Sequence, residues 1–205
     1  MKVIQIAGFL GSGKTTTLIS MSKAIGQKLN KKVAVIVNEI GNAPVDAKIL
    51  EEYGLKVSTI GGGCICCEVM VGLADTLVLL KKAIDPDLVL IEPTGVAMPG
   101  QVKDAILMSG SRISVEVGLA VVLIDPFIED DMLAGEAEDN FIVRQIANAD
   151  IIAINKIDVA SETRIKQCED RAREINPNAK LVRISALRGD GMDELIELMV
   201  KGISS

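Results

Sequence analysis

The glycine-rich stretch GFLGSGKT, residues 8–15, carries residue types suited to phosphate chemistry. It fits the pattern G-x-x-x-x-G-K-[S/T] between a predicted strand (2–8) and a predicted helix (15–29), the context in which this pattern forms a phosphate-binding loop. Glycines let successive backbone N–H groups point at phosphate oxygens, and the positive end of the helix lies beside them. An ordinary glycine-rich turn is the alternative. The residues predicted to bind the nucleotide here are Gly8, Gly11, Ser12, Gly13, Lys14, Thr15 and Thr16.

Side chains in and opposite this loop suit a nucleoside triphosphate with Mg²⁺. Lys14 would reach the β- and γ-phosphates, and the Thr15 hydroxyl would ligate Mg²⁺. A later predicted strand ends in DLVLIEPTG, where Glu92 would hold a Mg²⁺-bound water or orient the attacking water. The N–H of Gly95, three residues further on, could meet the γ-phosphate. A glutamate at a strand end is by itself often a solvated turn residue, but its place opposite a phosphate loop favours the functional interpretation.

The sequence NKID at residues 155–158 ends another predicted strand and indicates which base is bound. The Asp158 carboxylate can accept hydrogen bonds from the N1–H and 2-amino groups of guanine. Adenine lacks the 2-amino group and presents an acceptor at N1, so it would leave a buried charge unpaired, which costs more than the bond contributes. The predicted nucleotide is therefore GTP.

Other residues near NKID are predicted to complete the base site. Asn155 would tie this loop to the phosphate loop, and the Lys156 stem would cover one face of the base. A further strand ends in KLVRISAL, where the Ala186 N–H could meet the guanine O6. The residues predicted to surround the base are Asn155, Lys156, Asp158, Ser185, Ala186 and Leu187.

Three of the four cysteines lie in GGGCICC, residues 61–67, directly after three glycines. The thiolates of Cys64, Cys66 and Cys67 can bind a thiophilic ion such as Zn²⁺, Co²⁺ or Ni²⁺, but three ligands leave tetrahedral coordination incomplete. An incomplete site suits a protein that must release its ion. Buried packing of the thiols and a redox or disulfide pair are the alternatives.

Apolar strand-like runs alternate with helical stretches and would position these residues. Their Val, Ile and Leu content is nearly continuous, which is typical of a mostly parallel sheet with helices on both faces. We therefore predict one α/β domain. Cys168 shares a helical face with Ile165, Ala172 and Ile175, so it is expected to pack in the core. The predicted strands are 2–8, 31–38, 87–92, 117–125, 149–155 and 180–185, and the predicted helices are 15–29, 71–84, 161–175 and 191–202.

Composition excludes several classes of function. The net charge is −6, and there are three phenylalanines, one tyrosine and no tryptophan, so a basic face with stacking rings for nucleic acid is missing. There is no histidine, which rules out a Ser-His-Asp triad and histidine metal ligands. No apolar run approaches the roughly 20 residues that span a bilayer. Without an export signal, we expect a cytoplasmic protein that binds neither nucleic acid nor membrane.

Together, the motifs resemble the CobW/HypB/UreG family of metal-chaperone P-loop GTPases. The resemblance rests on GFLGSGKTT, IEPTG, NKID, SAL and the CxCC motif, and it covers nearly the whole chain. The stretch VIVNEIGNAPVD (35–46) resembles the family's Asn-Glu-Phe-Gly switch segment, which implies Glu39 and Asp46 near Mg²⁺ or the transported metal. Glu39, a water or a second protomer could complete the cysteine site. Either Glu92 or Asp46 would position Mg²⁺ or the attacking water.

The resemblance implies a GTPase that binds a transition metal through the CxCC loop and delivers it, gated by nucleotide state, to a client metalloenzyme or cofactor-assembly protein. It also implies a homodimer promoted by nucleotide. The chain is expected to be a single GTPase domain, residues 1–205, without the second carboxyl-terminal domain usual in CobW-like members. The alternative function is a GTP-dependent switch that acts on a client, such as a corrinoid enzyme, without metal cargo.

Overall fold

A computed structural model of the protein describes residues 1–37, 56–59, 67–93, 95, 97–128 and 140–204. Strands and helices alternate along most of the chain. The strands are β1 (Lys2–Gly8), β2 (Val33–Val37), β3 (Lys56–Thr59), β4 (Leu88–Glu92), β5 (Glu116–Ile124), β6 (Ile151–Ile154) and β7 (Lys180–Arg183). The helices are α1 (Lys14–Leu29), α2 (Cys67–Ala83), α3 (Pro99–Ser109), α4 (Phe141–Ala147), α5 (Glu162–Ile175) and α6 (Met192–Ser204).

The described strands form one seven-stranded sheet in the order β3-β2-β4-β1-β5-β6-β7. Every ladder between neighbours is parallel, and β1 lies between β4 and β5. Parallel strands bring their carboxyl ends to one edge of the sheet, where ligands of open α/β sheets bind. The ends of β1, β4, β6 and β7 carry the predicted nucleotide motifs, so the topology gathers those motifs at this edge.

Helices cover both faces of the sheet, as the nearly continuous apolar strands predict. Helices α1 and α6 pack on one face, where alternate strand residues such as Ile4 and Ile6 of β1 are fully buried. Helices α2 and α3 pack on the other face over β1, β2 and β4, and helices α4 and α5 pack beside them over β1, β5 and β6. The predicted α/β fold class with a parallel sheet is confirmed.

The structure adds elements that the sequence pattern did not predict. Strand β3 is at the edge of the sheet, and its four residues, KVST, are too few and too polar to stand out. Helix α3 begins with Pro99 and Gly100, which mark a turn in sequence although proline is favoured in the first turn of a helix. Helix α4 has seven residues, too few to show a periodic apolar face. Helix α2 begins at Cys67, four residues before the predicted start.

Cys168 of α5 is buried among Ile165, Ala172 and other apolar residues of α4 and α5, as predicted. Burial raises the pKa of its thiol to about 12, which favours the protonated thiol at neutral pH. No helix within the described ranges has the length and apolar character needed to cross a membrane.

Candidate functional site

The predicted phosphate loop connects β1 to α1 and depends on glycines. Gly8, Gly11 and Gly13 have φ angles of 140°, 79° and 93°, in the region that side chains with a Cβ avoid. A Cβ added at Gly8 would lie 2.5 Å from the Leu123 carbonyl oxygen, and one at Gly13 would lie 2.2 Å from Asn155 Nδ2. The loop therefore takes its shape from glycine at positions where neighbouring strands come close.

Ser12 at the centre of the loop has the properties of an anion ligand. Its hydroxyl is buried and has no hydrogen-bond partner among the described residues. A buried polar atom without a partner costs free energy, and a phosphate oxygen beside it would remove that cost. This donor, together with the α1 N-terminus, fits the phosphate groups that the sequence motif predicts.

Lys14, the first residue of α1, is 7% exposed, and its ammonium donates a hydrogen bond to the Phe9 carbonyl oxygen at 3.1 Å. Burial lowers the pKa of Lys14 below its usual value, and the Glu92 carboxylate opposes that shift. A desolvated ammonium gains more from an anion than an exposed one does. The environment of Lys14 is thus suited to a phosphate.

Thr15 of α1 and Glu92 of β4 are in direct contact. The Thr15 hydroxyl donates to Glu92 Oε1 at 2.8 Å, and Glu92 is buried at the last position of β4. A hydroxyl and a carboxylate are hard oxygen ligands of the kind that Mg²⁺ prefers beside a triphosphate. The residues predicted from two separate motifs are therefore in direct contact, and their chemistry fits Mg²⁺.

Gly95, in the connection from β4 to α3, lies against the phosphate loop. A Cβ added to it would lie 2.9 Å from the Leu10 nitrogen and 3.4 Å from the Phe9 carbonyl carbon. The backbone carbonyls of Gly95 and Ala97 accept hydrogen bonds from Gln145 Nε2 of α4, at 3.1 and 2.8 Å. The structure brings Gly95 to the phosphate loop, as its predicted role requires, and adds Gln145, which the sequence did not single out.

Asn155 joins the phosphate loop to the loop that follows β7. Its Nδ2 donates to the Ser12 carbonyl oxygen at 2.8 Å, and its Oδ1 accepts from the Ala186 N–H at 3.0 Å. The first bond agrees with the tie predicted for Asn155. The second bond occupies the Ala186 N–H, which is the group predicted to meet guanine O6. Binding of the base through Ala186 would require this bond to be shared or exchanged.

Lys156 has a φ of 66°, and its ammonium pairs with Asp125 Oδ2 at 2.5 Å. Asp125 follows β5 directly, and its other oxygen accepts from the Phe127 N–H at 2.9 Å. The Lys156 side chain, which is predicted to cover one face of the base, is therefore held by the Asp125 carboxylate, which the sequence analysis did not identify. The pattern that could have shown it is LID at the end of a strand adjacent to the NKID strand.

Three further residues predicted at the base site differ in their surroundings. Asp158 is partly buried, and its carboxylate accepts no hydrogen bond from the part of the chain that the structure describes. Ser185 is fully buried, and its hydroxyl accepts from the Arg188 N–H at 3.1 Å. Leu187 is 83% exposed. Asp158 thus has an acceptor available for a ligand, whereas Ser185 shapes the turn.

The predicted metal ligands lie mostly outside the described residues. Glu39, Asp46, Cys64 and Cys66 lie outside the described residues, and Cys67 is the first residue of α2. Within the described ranges, no three acidic or cysteine side chains are grouped so that they could hold a metal ion. The cysteine site therefore stays a prediction.

A parallel sheet with a glycine loop between β1 and α1, an acidic residue of β4 against that loop, and NKID after β6 defines a P-loop nucleotide-binding protein. Within this class the chain belongs to the CobW/HypB/UreG family, since the model of that family's nucleotide-binding domain matches residues 2–183.

Individual relatives agree with this assignment. The zinc chaperone YeiR of Escherichia coli is 36% identical over 153 residues, or 75% of this chain and 45% of YeiR. Zinc-regulated GTPase metalloprotein activator 1 of Schizosaccharomyces pombe is 28% identical over 205 residues, covering 96% of this chain and 49% of that protein. The hydrogenase maturation factor HypB of Archaeoglobus fulgidus has the same fold, with a TM-score of 0.70 at 24% identity over 99% of this chain and 90% of HypB. The chain spans about half the length of the curated relatives it matches.

Proposed function

We propose that this protein is a cytoplasmic GTPase whose nucleotide state controls the binding of a transition metal and its delivery to a client metalloenzyme or cofactor-assembly protein. The observation that carries the GTPase proposal is the 2.8 Å hydrogen bond between Thr15 and Glu92, which joins the phosphate loop to the acidic end of β4. The family and the name of the S. pombe relative, a zinc-regulated GTPase metalloprotein activator, support the same activity.

Selection of GTP rests on Asp158. Its carboxylate is partly buried and accepts no hydrogen bond from the described residues. Guanine would supply two donors to this acceptor, whereas adenine would face it with a lone pair. Losing a charge-assisted pair costs on the order of 1.5–3 kcal/mol, so GTP should bind at least about tenfold more tightly than ATP.

Hydrolysis is proposed to use groups already placed around the phosphate loop. The Lys14 ammonium would exchange the Phe9 carbonyl for β- and γ-phosphate oxygens and stabilise the charge that develops there. Thr15 and Glu92 would hold Mg²⁺, which supplies further charge neutralisation when bound. Glu92 would also accept a hydrogen bond from the attacking water, and Asp46 is the alternative residue for this role.

The metal cargo is proposed from the CxCC motif and from the relatives, one of which is named a zinc chaperone. Cys64, Cys66 and Cys67 would bind Zn²⁺, Co²⁺ or Ni²⁺ as substrate, with Glu39 or a second protomer completing the site. Helix α2 begins at Cys67 and is followed along the chain by β4, which ends at Glu92. This path would connect the metal loop to the nucleotide, and a nucleotide-promoted homodimer would bring two such loops together.

The test is a metal competition titration on anaerobically purified protein, with and without a non-hydrolysable GTP analogue. We expect about one ion per protomer, or one shared by a dimer, and an affinity that changes about 5–150-fold with the analogue. The analogue must then change its own affinity by the same factor when metal is bound. No tight metal binding in either state, with reduced thiols confirmed, would favour the switch without cargo.

A further inference from the structure

Gln145 is a fully buried glutamine. It is distant in sequence from the nucleotide motifs, but its side chain contacts the nucleotide region. It lies on α4, and its Nε2 donates to two carbonyls of the β4–α3 connection, Gly95 at 3.1 Å and Ala97 at 2.8 Å. These two bonds satisfy both carbonyl oxygens and tie Gly95 and Ala97 to α4.

The segment held by Gln145 is the one in contact with the phosphate loop. A Cβ at Gly95 would lie 2.9 Å from the Leu10 nitrogen, so the two backbones touch. Helix α4 also reaches the phosphate loop directly, because the rings of Phe141 and Phe9 pack with centroids 5.6 Å apart. One short helix therefore braces both segments that face the phosphates.

Helix α4 is itself firmly placed. Asn140 caps it, since its Oδ1 accepts from the N–H groups of Ile142 and Val143 at 3.0 and 3.3 Å. Ile142 and Ile146 are buried against β5, β6 and α5. Gln145 thus projects from a fixed element onto the connection that contacts the phosphate loop.

We propose that Gln145 is a positioning residue: it holds Gly95 against the phosphate loop, where the Gly95 N–H would meet the γ-phosphate, and it thereby sets how strongly the protein distinguishes GTP from GDP. This inference rests on the proposed GTPase function and extends it to a residue in none of the nucleotide motifs. Because GDP has no γ-phosphate, the contribution of Gln145 should appear with GTP and be absent with GDP.

Gln5 of β1 provides a matched control. It is also buried, at 4% exposure, and its Nε2 donates to the Pro99 carbonyl oxygen at 3.3 Å, at the α3 end of the same connection. If Gln145 matters merely because a buried glutamine supports this connection, Gln5→Met and Gln145→Met should have similar effects. If it matters through Gly95, the effects should differ.

The experiment measures the affinity of each variant for fluorescently labelled GDP and for a labelled non-hydrolysable GTP analogue, after its fold has been verified by circular dichroism and thermal unfolding. Gln145→Met keeps the volume and removes both hydrogen bonds. We expect it to weaken analogue binding about tenfold, as loss of the charge-assisted hydrogen bond from the Gly95 N–H to the γ-phosphate implies, while GDP affinity stays within about twofold. Gln5→Met should leave both affinities within about twofold.

A second variant keeps the proposal testable if Gln145→Met does not fold. Gly95→Ala displaces the same backbone from the other side, through the 2.9 Å contact with Leu10, and should also weaken the analogue more than GDP. Equal losses for GDP and the analogue, or no loss for either, in the variant that folds would overturn the inference. A wild-type protein that binds neither guanine nucleotide would overturn the proposed function and this inference with it.

Discussion

The substitution Gly13→Ala, with Gly11→Ala as its matched control, tests how the phosphate loop is joined to the base loop. Both residues have positive φ, 93° and 79°, so both substitutions carry the left-handed strain of about 1–2 kcal/mol. They differ in their surroundings. A Cβ at Gly11 meets nothing within 4 Å, whereas a Cβ at Gly13 lies 2.2 Å from Asn155 Nδ2 and must displace that amide.

Displacing the amide breaks the buried hydrogen bond from Asn155 to the Ser12 carbonyl oxygen, which is 2.8 Å long. Leaving a buried group without its partner adds about 1–3 kcal/mol. We therefore expect Gly11→Ala to cost about 1–2 kcal/mol and Gly13→Ala about 2–5 kcal/mol in the free energy of unfolding. At about 2–4 °C per kcal/mol for a chain of this size, the extra loss at Gly13 is roughly 2–12 °C in Tm.

The assay is chemical and thermal unfolding of the nucleotide-free protein followed by circular dichroism, in a double-mutant cycle with Asn155→Ala. Once the Asn155 side chain is gone, Gly13→Ala should cost no more than Gly11→Ala does. A Gly13→Ala penalty that stays larger in the Asn155→Ala background would refute the reasoning. So would equal penalties for the two glycines in the wild-type background.

Other predictions concern catalysis, base choice and metal. Glu92→Ala should lower kcat of GTP hydrolysis more than it weakens GTP binding, measured by phosphate release and by titration; unchanged turnover would make Glu92 a bystander. Asp158→Asn should shift preference from GTP to xanthosine triphosphate, whose base offers an acceptor where guanine offers a donor, and competition binding measures this. Cys66→Ser combined with Cys67→Ser should abolish tight zinc binding while leaving metal-free GTP affinity within about twofold; retained zinc binding would place the site elsewhere.

The motif residues could be predicted from sequence because each lies in a short run whose spacing and flanks are informative. The glycine loop follows a strand and precedes a helix, and NKID follows a buried strand, so sequence order placed Lys14 and Asn155 at the same edge of a parallel sheet. The contact between Thr15 and Glu92 follows from that topology, since β1 and β4 are adjacent.

Gln145 and Asp125 were harder to find because their contacts are with residues distant in sequence, and only Asp125 carries a signal, its place at the end of the strand beside NKID. Gln145 contacts Gly95 across 50 residues, and Asp125 pairs with Lys156 across 31. In sequence, Gln145 follows Arg144 within an otherwise apolar stretch, a pattern that surface residues share. Helix α4 escaped prediction for a related reason: its position comes from packing against the sheet, and its seven residues are too short to show a period.

The two bonds of Asn155 have a consequence for how affinity is distributed along the ligand. They hold the phosphate loop and the loop after β7 at a set separation through one side chain at the end of a buried strand. The distance between the phosphate site and the base site is therefore set before the ligand binds. Guanosine and pyrophosphate added as separate molecules should each bind weakly. In the intact nucleotide, binding of one part holds the other part beside its site at high effective concentration, so the affinity of the whole is much higher.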